Sequence, residues 1–193
     1  MTAESKVRGT RRGIPTARNV DHVGITVPDL DGAIAFFVDV LGCEVLYRVG
    51  PWGDPTGNFM AAHYDVDPRA TFSAAMVRCG PTLNVELVRW TAPDQTTGQT
   101  TGAPRNSDAG AAHLAFYVAD IDAAVAYLAA RPGVRVLAAP VPSASGPTDG
   151  QRSVYFLAPW GLSLELISWP EGMPYERDTS ARLFGPTPSW SAR

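Results

Sequence analysis

Two stretches, VDHVGITVPDLDGAIAFF at residues 20–37 and AAHLAFYVADIDAAVAYL at residues 111–128, say nearly the same thing. Each opens on alternating residues suited to a half-buried strand, meets an aspartate, and passes into apolar residues spaced by three and four. Asp29 and Asp120 stand where a helix begins, and a carboxylate there accepts the backbone N–H groups that the first turn leaves free. The apolar stripe is Leu30, Ala33, Ile34, Phe37 and Leu41 in the first copy, and Ile121, Ala124, Val125 and Leu128 in the second. Gly42 and Gly133 follow at equivalent places, suited to the left-handed backbone that ends a helix.

The shift that carries His22 onto His113 also carries Val27 onto Val118, Asp31 onto Asp122 and Val45-Leu46 onto Val136-Leu137. At the far end, LNVELVRW (83–90) lies over LSLELISW (162–169), once a shorter second copy is allowed for. Further strands are predicted at 43–49, 72–79 and 82–90, then at 133–139, 152–158 and 162–169. The expectation is an α+β fold of two tandem βαβββ modules, residues 19–91 and 111–170. Residues 50–71 are an insertion in the first module, 92–110 are a linker rich in Thr, Gly and Pro, and 141–151 have loop composition. Residues 171–193 form an extension expected to pack over the core or a partner subunit, and 1–18 a flexible basic tail.

At 193 residues, with 45% of them hydrophobic, the chain can bury a core. A net charge of −3 offers no concentrated basic surface for nucleic acid. No apolar run is long enough to cross a membrane and no export signal follows the N-terminal arginines, so a cytoplasmic protein acting on a small molecule is expected. Cys43 and Cys79 lack metal-type or redox-type spacing and are expected as buried free thiols.

Strand alternation shows where the repeated polar residues point. Val23, Ile25 and Val27 share one face, so His22, Gly24 and Thr26 share the other. In the second copy Leu114, Phe116 and Val118 oppose His113, Ala115 and Tyr117. Glu86 sits between Val85 and Leu87, and Glu165 between Leu164 and Leu166, so each carboxylate also leaves the apolar side. Brought together by a pseudo-twofold axis, His22, Glu86, His113 and Glu165 would hold one divalent ion, Zn, Ni, Co, Mn or Fe, with positions left for substrate.

The DHVGITVPDLDGAIAFFVDVLG opening (21–42) and the YFLAPWGLSLELI close (155–167) resemble the vicinal oxygen chelate superfamily over roughly residues 19–170. That superfamily includes glyoxalase I, methylmalonyl-CoA and valiolone-type epimerases, extradiol dioxygenases and bleomycin- or fosfomycin-resistance proteins. The resemblance implies an open, cup-shaped barrel around a metal, with ligands on the first and last strands of each module, here His22, Glu86, His113 and Glu165. It also implies a homodimer. The turn Ala158-Pro159-Trp160-Gly161 departs from the Asp-Pro-Asp-Gly type common in the family.

Glu86 discriminates among activities. The extradiol dioxygenases use two histidines and one carboxylate, so a fourth ligand suits proton chemistry better than oxygen activation. The expected function is therefore a metal-dependent isomerase or epimerase, working through an enediolate on a substrate with vicinal oxygens, such as a sugar-like or cyclitol ketone or an acyl thioester. Glu86 or Glu165 serves as the base, and Thr26, Tyr117, Asn58 and Arg152 are expected to contact substrate. Alternatives are a glyoxalase-type lyase, an extradiol-type dioxygenase and a non-catalytic drug-binding resistance protein.

Overall fold

Both predicted helix starts are made as expected. Asp29 accepts from the N–H groups of Asp31 and Gly32, each at 3.2 Å, and Asp120 accepts from that of Ala123 at 3.0 Å. In the computed structural model, which describes residues 13–95, 103–170 and 172–190, these caps open α1 (Leu30–Ala35) and α3 (Ile121–Ala129). Residues 1–12 of the expected basic tail and 96–102 of the expected linker lie outside the described residues. A π-helical turn, Phe36–Val40, continues α1, and its extra residue per turn carries the consecutive Phe36 and Phe37 both into the core.

The first sheet contains β1 (Val23–Thr26), β2 (Glu44–Gly53), β3 (Thr71–Cys79) and β4 (Leu83–Thr91), in the order β1-β4-β3-β2. The short helix α2 (Phe59–Tyr64) lies within the expected insertion. The second sheet contains β5 (Leu114–Tyr117), β6 (Arg135–Val136), β7 (Val141–Pro142), β8 (Arg152–Leu157) and β9 (Ser163–Ser168), in the order β5-β9-β8-β6 with β7 also on β8. In each sheet the first strand runs parallel to the last and the other pairings are antiparallel. The architecture is thus mixed α+β with two sheets, and no strand of one pairs with a strand of the other among the described residues.

One hydrophobic cluster spans both sheets, with Phe37, Val85, Leu87, Phe156 and Leu164 at its fully buried centre. Full burial of each such side chain is worth about 1.5–3 kcal/mol. The bridging contacts come from the helix sides: Phe36 packs edge-on against Trp160 with ring centroids 5.3 Å apart, and the Tyr127 hydroxyl donates to the Val40 carbonyl at 3.2 Å. The C-terminal extension adds Trp190, whose indole N–H donates to the Gly42 carbonyl at 2.7 Å and whose ring lies 6.1 Å from that of Phe116. No described helix is long and apolar enough to cross a membrane.

Three local expectations need correction. Gly42 has the left-handed φ of 74° directly after the first helix, but Gly133, at φ 75°, comes beyond a turn at Arg131 instead of capping α3. The 141–151 stretch is not wholly loop, because β7 pairs Val141 with Ser153. Cys43 and Cys79 are joined in a disulfide, not free. They flank the paired residues Glu44 and Arg78 at one end of the β2–β3 ladder, and their Cα atoms are 4.6 Å apart, the close spacing of a non-hydrogen-bonded antiparallel pair.

Candidate metal centre

Parallel pairing of β1 with β4 sets Gly24 opposite Glu86, and a Cβ built on Gly24 would point to within 3.9 Å of the Glu86 carboxylate. His22, two residues earlier on the same face, lies just ahead of β1, with Nε2 3.6 Å from Glu86 Oε2. The second sheet repeats the arrangement: Ala115 opposes Glu165, and His113 Nε2 is 3.4 Å from Glu165 Oε2. The alternation in the sequence thus forms both His–Glu pairs within their own sheets. It does not bring the four together, since no three His, Cys, Asp or Glu side chains among the described residues are grouped closely enough to hold a metal ion.

The donor geometry fits a metal at each half-site. Two ligands about 2.1 Å from one ion, at tetrahedral or octahedral angles, stand about 3.0–3.4 Å apart, close to the two separations found. The orientation of His22 also fits. Its Nδ1 donates to Asp21 Oδ1 at 2.8 Å, which leaves the Nε2 lone pair facing Glu86. The Asp21 hydrogen bond holds His22 above its ordinary pKa of 6.5 against the opposing effect of burial, with a smaller upward contribution from the Glu86 charge. Asn84 in turn donates to the Asp21 backbone carbonyl at 3.1 Å, tying the segment before β1 to β4.

The two half-sites differ in their surroundings. Glu86 is 33% exposed, whereas Glu165 is 11% exposed. Across the β8–β9 ladder from Glu165 stands Tyr155, whose hydroxyl is 3.4 Å from His113 Nε2; the corresponding partner of Glu86 is Met76. Burial first, and the neighbouring Glu165 carboxylate second, push the Tyr155 hydroxyl above its usual pKa. On the same face the Ser163 hydroxyl is buried without a partner among the described residues. Asp21 and Tyr155 were not singled out in the sequence. The Asp-His dipeptide at 21–22 was a signal for the first, but Tyr155 is revealed only by strand register.

Of the residues expected to touch substrate, Thr26 and Tyr117 do lie on the faces of the His–Glu pairs, Thr26 opposite Val88 and Tyr117 packed 4.8 Å from Trp169. Asn58 precedes α2 and its side chain makes no capping bond. Arg152 belongs to the other face. It shares the side of β8 occupied by Val154 and Phe156, and it grips Asp122 with both terminal nitrogens at 2.8 and 2.9 Å. Arg48 holds the repeat-equivalent Asp31 at 2.7 Å, so both arginines anchor helix starts. A cleft of about 520 Å³ lies beside that first ion pair, between Arg48, Ser73 and Arg89. Ser73 and Arg89 are cross-strand partners on the helix side of the sheet, away from Glu86.

The insertion adds an aromatic wall. Trp52 pairs with Phe72 and Phe72 with Trp90 across the ladders, all on the Glu86 face. Phe59 of α2 packs on Trp52 at 5.1 Å, Tyr64 on Trp90 at 5.6 Å, and His63 stacks on Phe59 at 4.0 Å instead of joining a ligand set.

Comparison with known proteins supplies a family and a relative. The profile of the glyoxalase/bleomycin resistance protein/dioxygenase superfamily matches residues 21–156. A 2-epi-5-epi-valiolone epimerase from Actinomyces sp is 50% identical over 182 residues, covering 94% of this chain and 96% of that protein. A glyoxalase family protein from Bacillus cereus superposes with a TM-score of 0.58 at 24% identity, covering 81% of this chain and 98% of that one. The fosfomycin resistance protein FosX from Listeria monocytogenes, in complex with Mn(II) and sulfate, gives 0.51 at 17% identity, covering 82% and 98%.

Proposed function

Because the chain belongs to the glyoxalase/bleomycin resistance protein/dioxygenase superfamily, we propose that it is an epimerase of a cyclitol ketone, dependent on one divalent ion held by His22, Glu86, His113 and Glu165. The observation that carries this reading is 50% identity to a 2-epi-5-epi-valiolone epimerase over 94% of the chain, together with a His–Glu pair on each sheet. A divalent ion bound there would polarise the substrate carbonyl, acidify the neighbouring C–H and stabilise the enediolate left by proton loss.

The chain's own groups handle the proton. Inverting the centre requires a proton to leave one face of the substrate carbon and another to arrive on the opposite face. Two carboxylates suffice: Glu86, the more accessible, and Glu165, one on each sheet, are the groups available to accept the first proton and to return the second, and exchange with solvent resets the pair. Positioned transfer of this kind contributes about 10²–10⁴-fold. Tyr155 is placed to donate a hydrogen bond to the substrate oxygen that gains charge, a role supported by its position beside His113 and opposite Glu165. Thr26 and Tyr117 face the bound ring, and the wall of Trp52, Phe59 and Tyr64 covers its apolar side.

The test is solvent exchange. Incubated in D₂O with 2-epi-5-epi-valiolone, the protein should place deuterium on the carbon beside the carbonyl, as read by NMR. Glu86→Gln and Glu165→Gln should each abolish inversion; full inversion by both variants would overturn the proposal.

A further inference from the structure

In each module one arginine holds the aspartate at the start of the helix. Arg152 takes Asp122 with both terminal nitrogens, and Arg48 takes Asp31 with one. The first module carries a further arginine on the same side of its sheet. Ser73 of β3 pairs with Arg89 of β4, where the second module pairs Arg152 of β8 with Ser168 of β9, so serine and arginine have changed strands. Because Arg48 reaches Asp31 from β2, this exchange leaves Arg89 without a carboxylate. Its contacts among the described residues are the Pro28 carbonyl at 3.4 Å and the Thr91 hydroxyl at 3.3 Å, both long for bonds from a guanidinium and neither to a charged group.

Arg89 lines the cleft of about 520 Å³ together with Ser73, Arg48, Val49 and Gly50. Register puts the two arginines on one face of the sheet, on either side of β3: Arg48 opposes Ala75, two residues from Ser73, and Arg89 opposes Ser73 itself. The serine thus stands on the strand between two arginines. Gly50 keeps its hydroxyl reachable, since a Cβ there would come within 3.2 Å of Ser73 Oγ. The acidic members of the lining are already engaged. Asp31 binds Arg48, and the two oxygens of Asp29 accept the N–H groups of Asp31 and Gly32. What remains to be satisfied in the cleft is donor capacity, namely the charge of Arg89, further N–H groups of both arginines and the Ser73 hydroxyl.

We infer that this cleft binds a small phosphate monoester, its phosphate held by Arg89, Arg48 and Ser73. A guanidinium fork matches phosphate oxygens, and a tetrahedral group offers three acceptor oxygens in different directions, which suits donors arriving from three strands. A carboxylate offers two oxygens in one plane, and a single arginine fills both. The cleft is larger than a bare phosphate requires and falls within the range of sites that take whole small molecules, so the organic part of the ester has room beside Val49 and Gly50. The site lies on the helix side of the sheet, opposite the face of Glu86. It shares no residue with the His22–Glu86 or His113–Glu165 pair, and so stands or falls independently of the metal reading.

Isothermal titration calorimetry tests this, with glucose 6-phosphate, inorganic phosphate, glucose and acetate as probes at constant ionic strength. Glucose 6-phosphate should bind with a Kd of about 1 mM or below and inorganic phosphate more weakly, while glucose and acetate give no binding heat. Arg89→Gln should weaken binding of glucose 6-phosphate about tenfold or more, and Ser73→Ala about threefold. His22→Ala, on the opposite face, should leave it unchanged. Absence of binding by both phosphates overturns the inference, as does equal affinity in wild type and Arg89→Gln, which would place the phosphate elsewhere on the protein. Acetate bound as tightly as inorganic phosphate refutes the choice of phosphate, and inorganic phosphate bound as tightly as glucose 6-phosphate refutes the choice of an ester. Should Arg89→Gln fail to fold, Ser73→Ala alone decides, and affinity equal to that of wild type counts against the site.

Discussion

Replacing Asp21 with alanine should weaken metal binding about tenfold, which corresponds to about 1.4 kcal/mol. Asp21 is not itself one of the four proposed ligands. It accepts the Nδ1 proton of His22 at 2.8 Å, and this bond fixes both the ring and the tautomer that leaves Nε2 free toward Glu86. Removing such a carboxylate behind a metal-binding imidazole costs about 10–100-fold in affinity. Here the Asp21 side chain is 88% exposed, so water competes for the bond and the effect should fall at the lower limit of that range. The assay is competition for Co(II) against a chelator of known affinity, at constant ionic strength because an exposed charge is screened. Asp21→Asn keeps an acceptor oxygen without the charge and should fall between wild type and Asp21→Ala. An alanine variant that binds Co(II) as tightly as wild type would refute the positioning role.

Arg152→Ala should leave KM for the substrate unchanged, since the guanidinium is engaged with Asp122 on the helix side of β8; a raised KM would return Arg152 to the substrate site. Tyr155→Phe should lower kcat about tenfold through the lost hydrogen bond to a charged oxygen, while Co(II) content stays at the wild-type level; equal loss of metal and activity would show a role in holding the centre instead.

Much of the fold was legible because its cues are local and occur twice. Alternation around His22 and Glu86 predicted their shared face, and the parallel β1–β4 register bears this out. The Asp29 and Asp120 caps behave as their chemistry requires. Other features depended on register between distant strands. Cys43 and Cys79 become partners only when β2 lies against β3, and Tyr155 reaches the candidate site only because β8 sets it opposite Glu165. Arg152 shows the same limit in reverse: its place beside a loop suggested substrate contact, whereas the parity of β8 sends it to Asp122.

The sequence by itself determined the repeated strand–helix order, the two His–Glu pairs and the faces that carry them, because period-two and period-3.6 patterns are properties of short segments. Only the tertiary structure decided how the two sheets meet. A pseudo-twofold axis inferred from a repeat does not say which faces it brings together, and both the apolar and the His–Glu faces had partners to offer. Burial of Phe36, Phe37, Leu128 and Phe156 in one shared core settles the choice toward the helix sides. Apolar area removed from water outweighs anything two isolated polar pairs contribute, and so the candidate metal ligands are left on the faces opposite that core.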